Sequence, residues 1–454
     1  MTHITQLLDI HPLREMLYNE LHSRPFQVIP SPARITHLAL QVNEQQKAEQ
    51  FRHLQKLHEL LGYEIPEQVT HCYEKTFDHF RIRWEQHLEF TTYTLIHLSP
   101  EPADDPFRQT ALADLPSAWL AALPGALVAG FHMAIEDARE VEEPEPTEVK
   151  PWFEQMRLIG SNSLDGAARI WTSFQLHRDG LGRLLVYNKQ LSDSQLGRLV
   201  QRLVEIETYR LMALLALPDA RRISPLLGDM DDQLNRLTDT LAHQQHCQAV
   251  DERALLAELT QMAARVEAFR AQTTFRFTAT RAYAEMIETR LQALREDEVS
   301  GHLTINEFLS RRLLPAVSTC QAVSERLEDI SRRVDRASDM MRTRVDMAIQ
   351  QQNRELLGAM NQRSKIQLMM QHTVEGLSVA AISYYLVGLG KYLLEALYGT
   401  GWHFNKSLAM GILVPLVLVS VWCVTRHIHH RFHALAHDEC DDDFDRQARP
   451  HKRE

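Results

Sequence analysis

Asn19, Glu20, His22 and Arg24 crowd together just before Pro25, and Arg34 and His37 follow on the next predicted strand. Further along, Arg83, Glu85, His87 and Glu89 alternate with Trp84, Leu88 and Phe90. In an extended chain alternate side chains leave on one face, so these four polar groups share a surface. Glutamate, histidine and arginine drawn from two elements can hold an anion or a metal, or exchange a proton with a substrate. The competing reading is a capped helix end beside a polar sheet face held by salt bridges. The candidate ligand site is Glu20, His22, Arg24, His37, Arg83, Glu85 and His87. No catalytic residue is assigned, because no nucleophile arrangement or metal-ligand spacing accompanies these residues and no Gly-rich phosphate loop follows a predicted strand.

Two other groups carry potential chemistry. Near the end of the chain His427, His430, His433 and His437 recur every three or four residues, followed by Cys440 and Asp441 to Asp443. Continued as a helix, this tail puts the histidines on one face, and His430, His433, His437 and Cys440 make a candidate site for a zinc or nickel ion. A juxtamembrane helix at the lipid interface explains the same residues. No cofactor motif is present; the cofactor is unknown, with a divalent metal as a candidate. The third group is Tyr384, Gly388, Lys391 and Glu395, which fall on one stripe of an apolar helix. Intramembrane charge points to a pathway or a bundle interior; the plainer alternative is an i,i+4 pair from which Lys391 snorkels outward.

The elements that must position these groups follow from pattern. The chain has 454 residues, 44% of them apolar, with a formal charge of −11 and five scattered cysteines. That composition excludes wholesale disorder and a disulfide scaffold, and the acidity argues against a nucleic-acid partner. The first 20 residues carry no secretory signal pattern. Residues 1 to about 190 predict a mixed α/β domain. Its strands are Ala33 to Val42, Phe90 to Leu98, Leu127 to Ile135 and Arg169 to Leu176, the last turning through Asp179-Gly180 into Leu184 to Tyr187. Helices are expected at Leu13 to His22 and Gln45 to Leu61, and two Pro-rich acidic stretches from Ser99 and Glu140 are loops.

After Ser192 and Asp193, which can cap a helix, the pattern turns helical and stays so. Residues 191–372 read as a helical, coiled-coil stalk. No proline lies between Pro315 and Pro415, and from Val317 a heptad seam runs through Cys320, Val323, Leu327, Ile330, Val334, Ala337 and Met341. A seam that apolar needs a partner; a second copy of the chain is the expected one, and the alternative is that the chain's own helices from residues 193 to 300 cover it. Residues 373–426 hold two apolar stretches, Leu377 to Leu397 and Ser407 to Thr425, each long enough to cross a bilayer core of ~30 Å as a helix. Arg363, Lys365, Arg426 and Arg431 flank them on one side, while the loop between offers only Lys406. The positive-inside rule then puts both termini, including the tail at 427–454, in the cytoplasm.

The strings NELHSRPF (Asn19 to Phe26), RITHLAL (Arg34 to Leu40), RWEQHLEFTTYT (Arg83 to Thr94), EFLSRRLLPAVSTC (Glu307 to Cys320) and TVEGLSVAAISYYLVGLGKYL (Thr373 to Leu393) closely resemble the membrane-anchored bacterial proteins grouped as domain of unknown function 3422. The resemblance spans nearly the whole chain and implies a bacterial inner-membrane protein, with no activity or site residues to carry over. A looser likeness is architectural. A cytoplasmic α/β domain, a long helix entering the first span, a short loop and a second span are similar to CorA-type magnesium channels. Those channels carry Tyr-Gly-Met-Asn in the loop; here Tyr398 and Gly399 match, while Thr400 and Gly401 stand where methionine and asparagine would be.

The expectation is an α+β protein: a cytoplasmic sheet domain, a helical stalk and a two-helix membrane hairpin. It is read as a non-enzymatic, homo-oligomeric inner-membrane protein of CorA-like build with a role in ion transport. The alternative is a membrane-tethered ligand sensor or enzyme working through the N-terminal domain.

Overall fold

The computed structural model describes residues 10–20, 26–67, 71–98, 100–101, 103–140, 143–243, 252–399 and 405–447. The chain divides into two units, Met1–Met341 and Arg342–Glu454. In order, the first unit contains α1 (Arg14–Glu20), β1 (Ala33–Gln41), α2 (Glu44–Leu61), β2 (Cys72–Thr76), β3 (Phe80–Gln86), β4 (Phe90–Leu98), α3 (Ser117–Ala121) and β5 (Ala126–Asp137). There follow α4 (Pro146–Val149), β6 (Ile159–Ser163), β7 (Ala168–Thr172), β8 (Gly182–Asn188), α5 (Asp193–Leu214), α6 (Leu217–His243), α7 (Glu252–Leu294) and β9 (Asp297–Glu298). Helix α8 (Ile305–Gly399) begins in the first unit and ends in the second, which also holds α9 (Lys406–Gln447).

The strands form one sheet in the order β2-β3-β4-β1-β5-β8-β7-β6-β9. Every neighbouring pair is antiparallel except β5 and β8. β1 sits near the centre and is buried along eight of its nine residues. A strand covered on both faces must satisfy its polar side chains internally. Thr36 does so through His132 on one face (2.8 Å), and His37 through Thr94 on the other (2.9 Å).

The local signals for the helices are chemical. Asn43 caps α2 in a reciprocal capping box with Gln46, and Gly62 ends it in the left-handed conformation that glycine adopts without strain. Ser192 and Gln195 make the same box at the start of α5. Leu196, Leu199, Leu203 and Ile206 on the buried face of α5 then pack with Ile35, Phe131, Met133 and Ile135 of the sheet. Helix α2 and Trp119 of α3 pack with residues of the opposite face, among them Leu38, Ile82, Trp84 and Leu95. Burial is worth about 1.5–3 kcal/mol gross for each such side chain, most of it offset by lost conformational entropy.

The heptad seam meets a partner within the chain. Cys320, Val323, Leu327, Ile330, Val334, Ala337 and Met341 are buried with Leu227, Met230 and Leu234 of α6 and Leu259, Met262 and Val266 of α7. The seam is therefore core, and it no longer supplies a reason for self-association. The helix that carries it begins at Ile305, ahead of the expected Pro315, with the Thr304 hydroxyl accepting from the Glu307 amide (3.0 Å).

Among the described residues of the second unit, two helices are long and apolar enough to cross a membrane: the end of α8 up to Leu397, and Ser407–His427 within α9. Large apolar side chains on both are exposed, Leu377, Tyr384, Leu408 and Leu416 among them. The helices meet at Gly390, where a Cβ would lie 2.6 Å from a methyl of Leu413. Ser383 and Val421 are buried in the same unit.

Candidate functional site

The pairing of β2, β3, β4 and β1 sets Glu74, Arg83, Thr94 and His37 side by side in one row, and a parallel row on the same face runs Cys72, Glu85, Thr92, Ala39. Polar side chains on alternate positions of three strands thus converge on one face. Helix α5 lies over that face, and the space between holds a cavity of about 690 Å³ including its open mouth. His37, Arg83, Glu85, Thr92 and Thr94 line it from the sheet and His87 from the turn between β3 and β4; Gln201, Glu205, Thr208 and Tyr209 line it from α5; Gln27 and Ile29 come from the segment before β1. That segment crosses α5 at Gly197, where a Cβ would fall 1.7 Å from the Gln27 carbonyl oxygen. Only glycine lets the two backbones come this close.

His37 is the most enclosed group. Its Nδ1 lies 2.9 Å from Thr94 Oγ1 and its Nε2 3.1 Å from Thr208 Oγ1, so one hydroxyl donates to the ring and the other accepts from it. Burial lowers its pKa to about 3, which keeps the imidazole neutral across the physiological range. Arg83 is also buried. Burial works against its charge, but its hydrogen bond to Glu85 (2.9 Å) and the fields of Glu85, Cys72 and Glu74 raise its pKa and hold it ionised. On the α5 side Glu205 is bound by Arg290 and accepts from the Gln201 amide at 3.0 Å. His87 stacks on Phe90 with ring centres 4.2 Å apart. The charges of the wall therefore balance, Arg83 against Glu85 and Arg290 against Glu205. The Thr92 hydroxyl does not share in this pairing: the residue is 3% exposed and its Oγ1 has no hydrogen-bond partner among the described residues.

Four of the seven proposed ligand residues, His37, Arg83, Glu85 and His87, line this one cavity. The side chain of Glu20, and His22 and Arg24 altogether, lie outside the described residues. Glu89, predicted to share their face, instead reaches α7, where it accepts from Tyr283 Oη (2.5 Å) and pairs with Arg276 (2.8 Å). Pattern reading misses the α5 wall of Gln201, Glu205 and Thr208. Polar residues on a predicted buried helix face are the available signal for it.

On the opposite face His132 forms a separate cluster. It bonds Thr36 and approaches Asp179 at 3.8 Å, and burial outweighs that carboxylate to lower its pKa to about 4. Among the described residues, no three His, Cys, Asp or Glu side chains converge as ligands for a metal. The side chains of His430, His433, His437 and Cys440 lie outside the described residues. Of the apolar stripe, Tyr384, Lys391 and Glu395 are exposed, and Gly388 is half-buried.

Residues 9–432 match the family described as a protein of unknown function, DUF3422. The chain belongs to that family. The match runs from before α1 through the second apolar stretch, so cavity and apolar helices fall within one family unit. No curated protein matches the chain.

Proposed function

We propose that this DUF3422 protein is a bacterial inner-membrane protein, anchored by the end of α8 and the start of α9 with both termini in the cytoplasm, whose sheet domain binds a small neutral or zwitterionic molecule. The observation that carries the reading is the cavity under α5. Its charges cancel in pairs, which disfavours a bare ion of either sign, and His37 is neutral. Thr92 presents a buried hydroxyl that a ligand can satisfy, and leaving such a group unbonded costs about 1–3 kcal/mol. Phe90, Ile29, Val200 and Val204 supply apolar wall beside these polar groups, the mixture typical of small-molecule sites.

The test is thermal unfolding of the detergent-purified chain with the neutral amino acids as zwitterionic probes at millimolar concentration. A ligand that binds only the folded state raises the melting temperature in a saturable way. At least one probe is expected to do so, and Thr92→Val and Gln201→Leu should each diminish the shift. No shift with any probe, or shifts unchanged in both variants, would contradict the site.

A second reading is ion transport by a homo-oligomer of CorA-like build. Its support is the order of elements and the exposure of Tyr384 and Lys391, which leaves that stripe free to face other copies. Liposomes containing the protein should then pass magnesium, cobalt or chloride; liposomes that pass none of the three sink it.

A further inference from the structure

A second cavity in the first unit, of about 1280 Å³ including its open mouth, is lined by Arg157, Arg210, Arg311 and Arg312. These residues come from three separate parts of the chain. Arg311 pairs with Glu307 (2.5 Å) and Arg210 with Glu207 (2.6 Å). Arg157 and Arg312 have no carboxylate partner among the described residues, so two guanidinium charges at this cavity stay uncompensated in a chain whose net charge is −11. Guanidinium groups match phosphate oxygens in geometry and remain charged at any physiological pH.

The rest of the wall is built rather than incidental. Phe174 lines the cavity in the left-handed region at φ 52°, a conformation bulky side chains rarely adopt. It is clamped between Phe308, stacked at 5.0 Å, and the Arg210 guanidinium, 5.0 Å from its ring centre. The preceding residue, Ser173, is fixed by His177 Nε2 at 3.2 Å. Leu309 and Leu313 add an apolar side.

We infer that this cavity binds a phosphate monoester carrying an apolar group. A phosphate monoester bears close to two negative charges at neutral pH, which matches the two uncompensated arginines, and its organic part would lie against Phe308, Leu309 and Leu313. A soluble phosphorylated metabolite and a lipid with a terminal phosphate share this chemistry. The site is distinct from the charge-balanced cavity under α5 and does not depend on it.

The experiment uses the full chain in phosphatidylcholine nanodiscs, with phenyl phosphate as the soluble probe, and in nanodiscs containing phosphatidic acid as the lipid probe. One of the two probes should raise the melting temperature, phenyl phosphate indicating a soluble ligand and phosphatidic acid a lipid. The double substitution Arg157→Gln, Arg312→Gln should weaken that response on the order of tenfold or more, since removing one charge-assisted hydrogen bond lowers affinity by about a decade. Both side chains are exposed, so the unliganded melting temperature of the variant should match the wild type, and Thr92→Val should respond to the probe as the wild type does. No shift from either probe, or an equal shift in the double variant, would overturn the inference.

Discussion

Two stretches of helix α8 carry similar apolar side chains and meet opposite surroundings. From Cys320 to Met341 the seam residues are no more than 4% exposed, covered by α6 and α7. Beyond residue 341, Met347, Leu356, Leu357, Met360, Met369 and Met370 are 57–70% exposed, and apolar exposure continues through both membrane-length helices. Periodicity reports that a face is apolar; it does not report what covers it. The first unit covers its own apolar seam and encloses polar groups such as His37 with hydroxyl partners. The second presents an apolar surface on the scale that marks contact with lipid or another protein.

Acid should separate the two units most strongly. His37 and His132 have pKa values lowered by burial to about 3 and about 4, against 6.5 for a free imidazole. A folded-state value below the unfolded one gives stability that is fully present above pH 6.5 and is lost as pH falls toward the folded value. Linkage puts the loss near pH 5 at about 2 kcal/mol for each histidine. Urea unfolding of the first unit, followed by tryptophan fluorescence, should show a lowered midpoint at pH 5, and His37→Gln should shrink the pH dependence. A midpoint that does not move between pH 7 and 5 would mean the imidazoles are not enclosed.

Truncating the covered seam should cost less than full acid exposure but more than any surface change. Ile330→Ala removes a fully buried side chain and should destabilise by about 3 kcal/mol. Gly197→Ala forces a methyl against the Gln27 carbonyl and should cost about 2 kcal/mol, with a matching loss of ligand response at the α5 cavity. Met360→Ala, on the uncovered stretch, should change unfolding by less than about 0.5 kcal/mol. An equal effect of Ile330→Ala and Met360→Ala in urea titrations would erase the contrast between the stretches.

The strands most legible from residue type are those rich in β-branched and aromatic residues, as with β4, expected and found at Phe90–Leu98. The expected strand from Arg169 to Leu176 is too long, because β7 ends at Thr172 and the chain turns through Ser173 and Phe174. β6, with the sequence IGSNS, carries no strand signal. It exists because Gly160 lies flat against Trp171, where any Cβ would collide with the indole, and because Ser163 Oγ donates to the Leu294 carbonyl (2.8 Å). The convergence of His37, Arg83, Glu85 and His87 is legible in part from the two-residue period, since alternation alone puts the last three on one face. Their roof is not, because periodicity cannot say which helix covers which face of a sheet. The second cavity has no sequence signal: Arg157, Arg210 and Arg311 are brought together only by tertiary packing.

The central claim is that the first unit is complete in itself and the second is held by lipid. Carbonate extraction of cell membranes tests it most directly, comparing the full chain with one ending at Met341. The full chain should stay in the membrane pellet, and the shortened chain should appear in the soluble fraction with a cooperative unfolding transition. A full chain released by carbonate, or a shortened chain that remains with the membrane, would contradict the account.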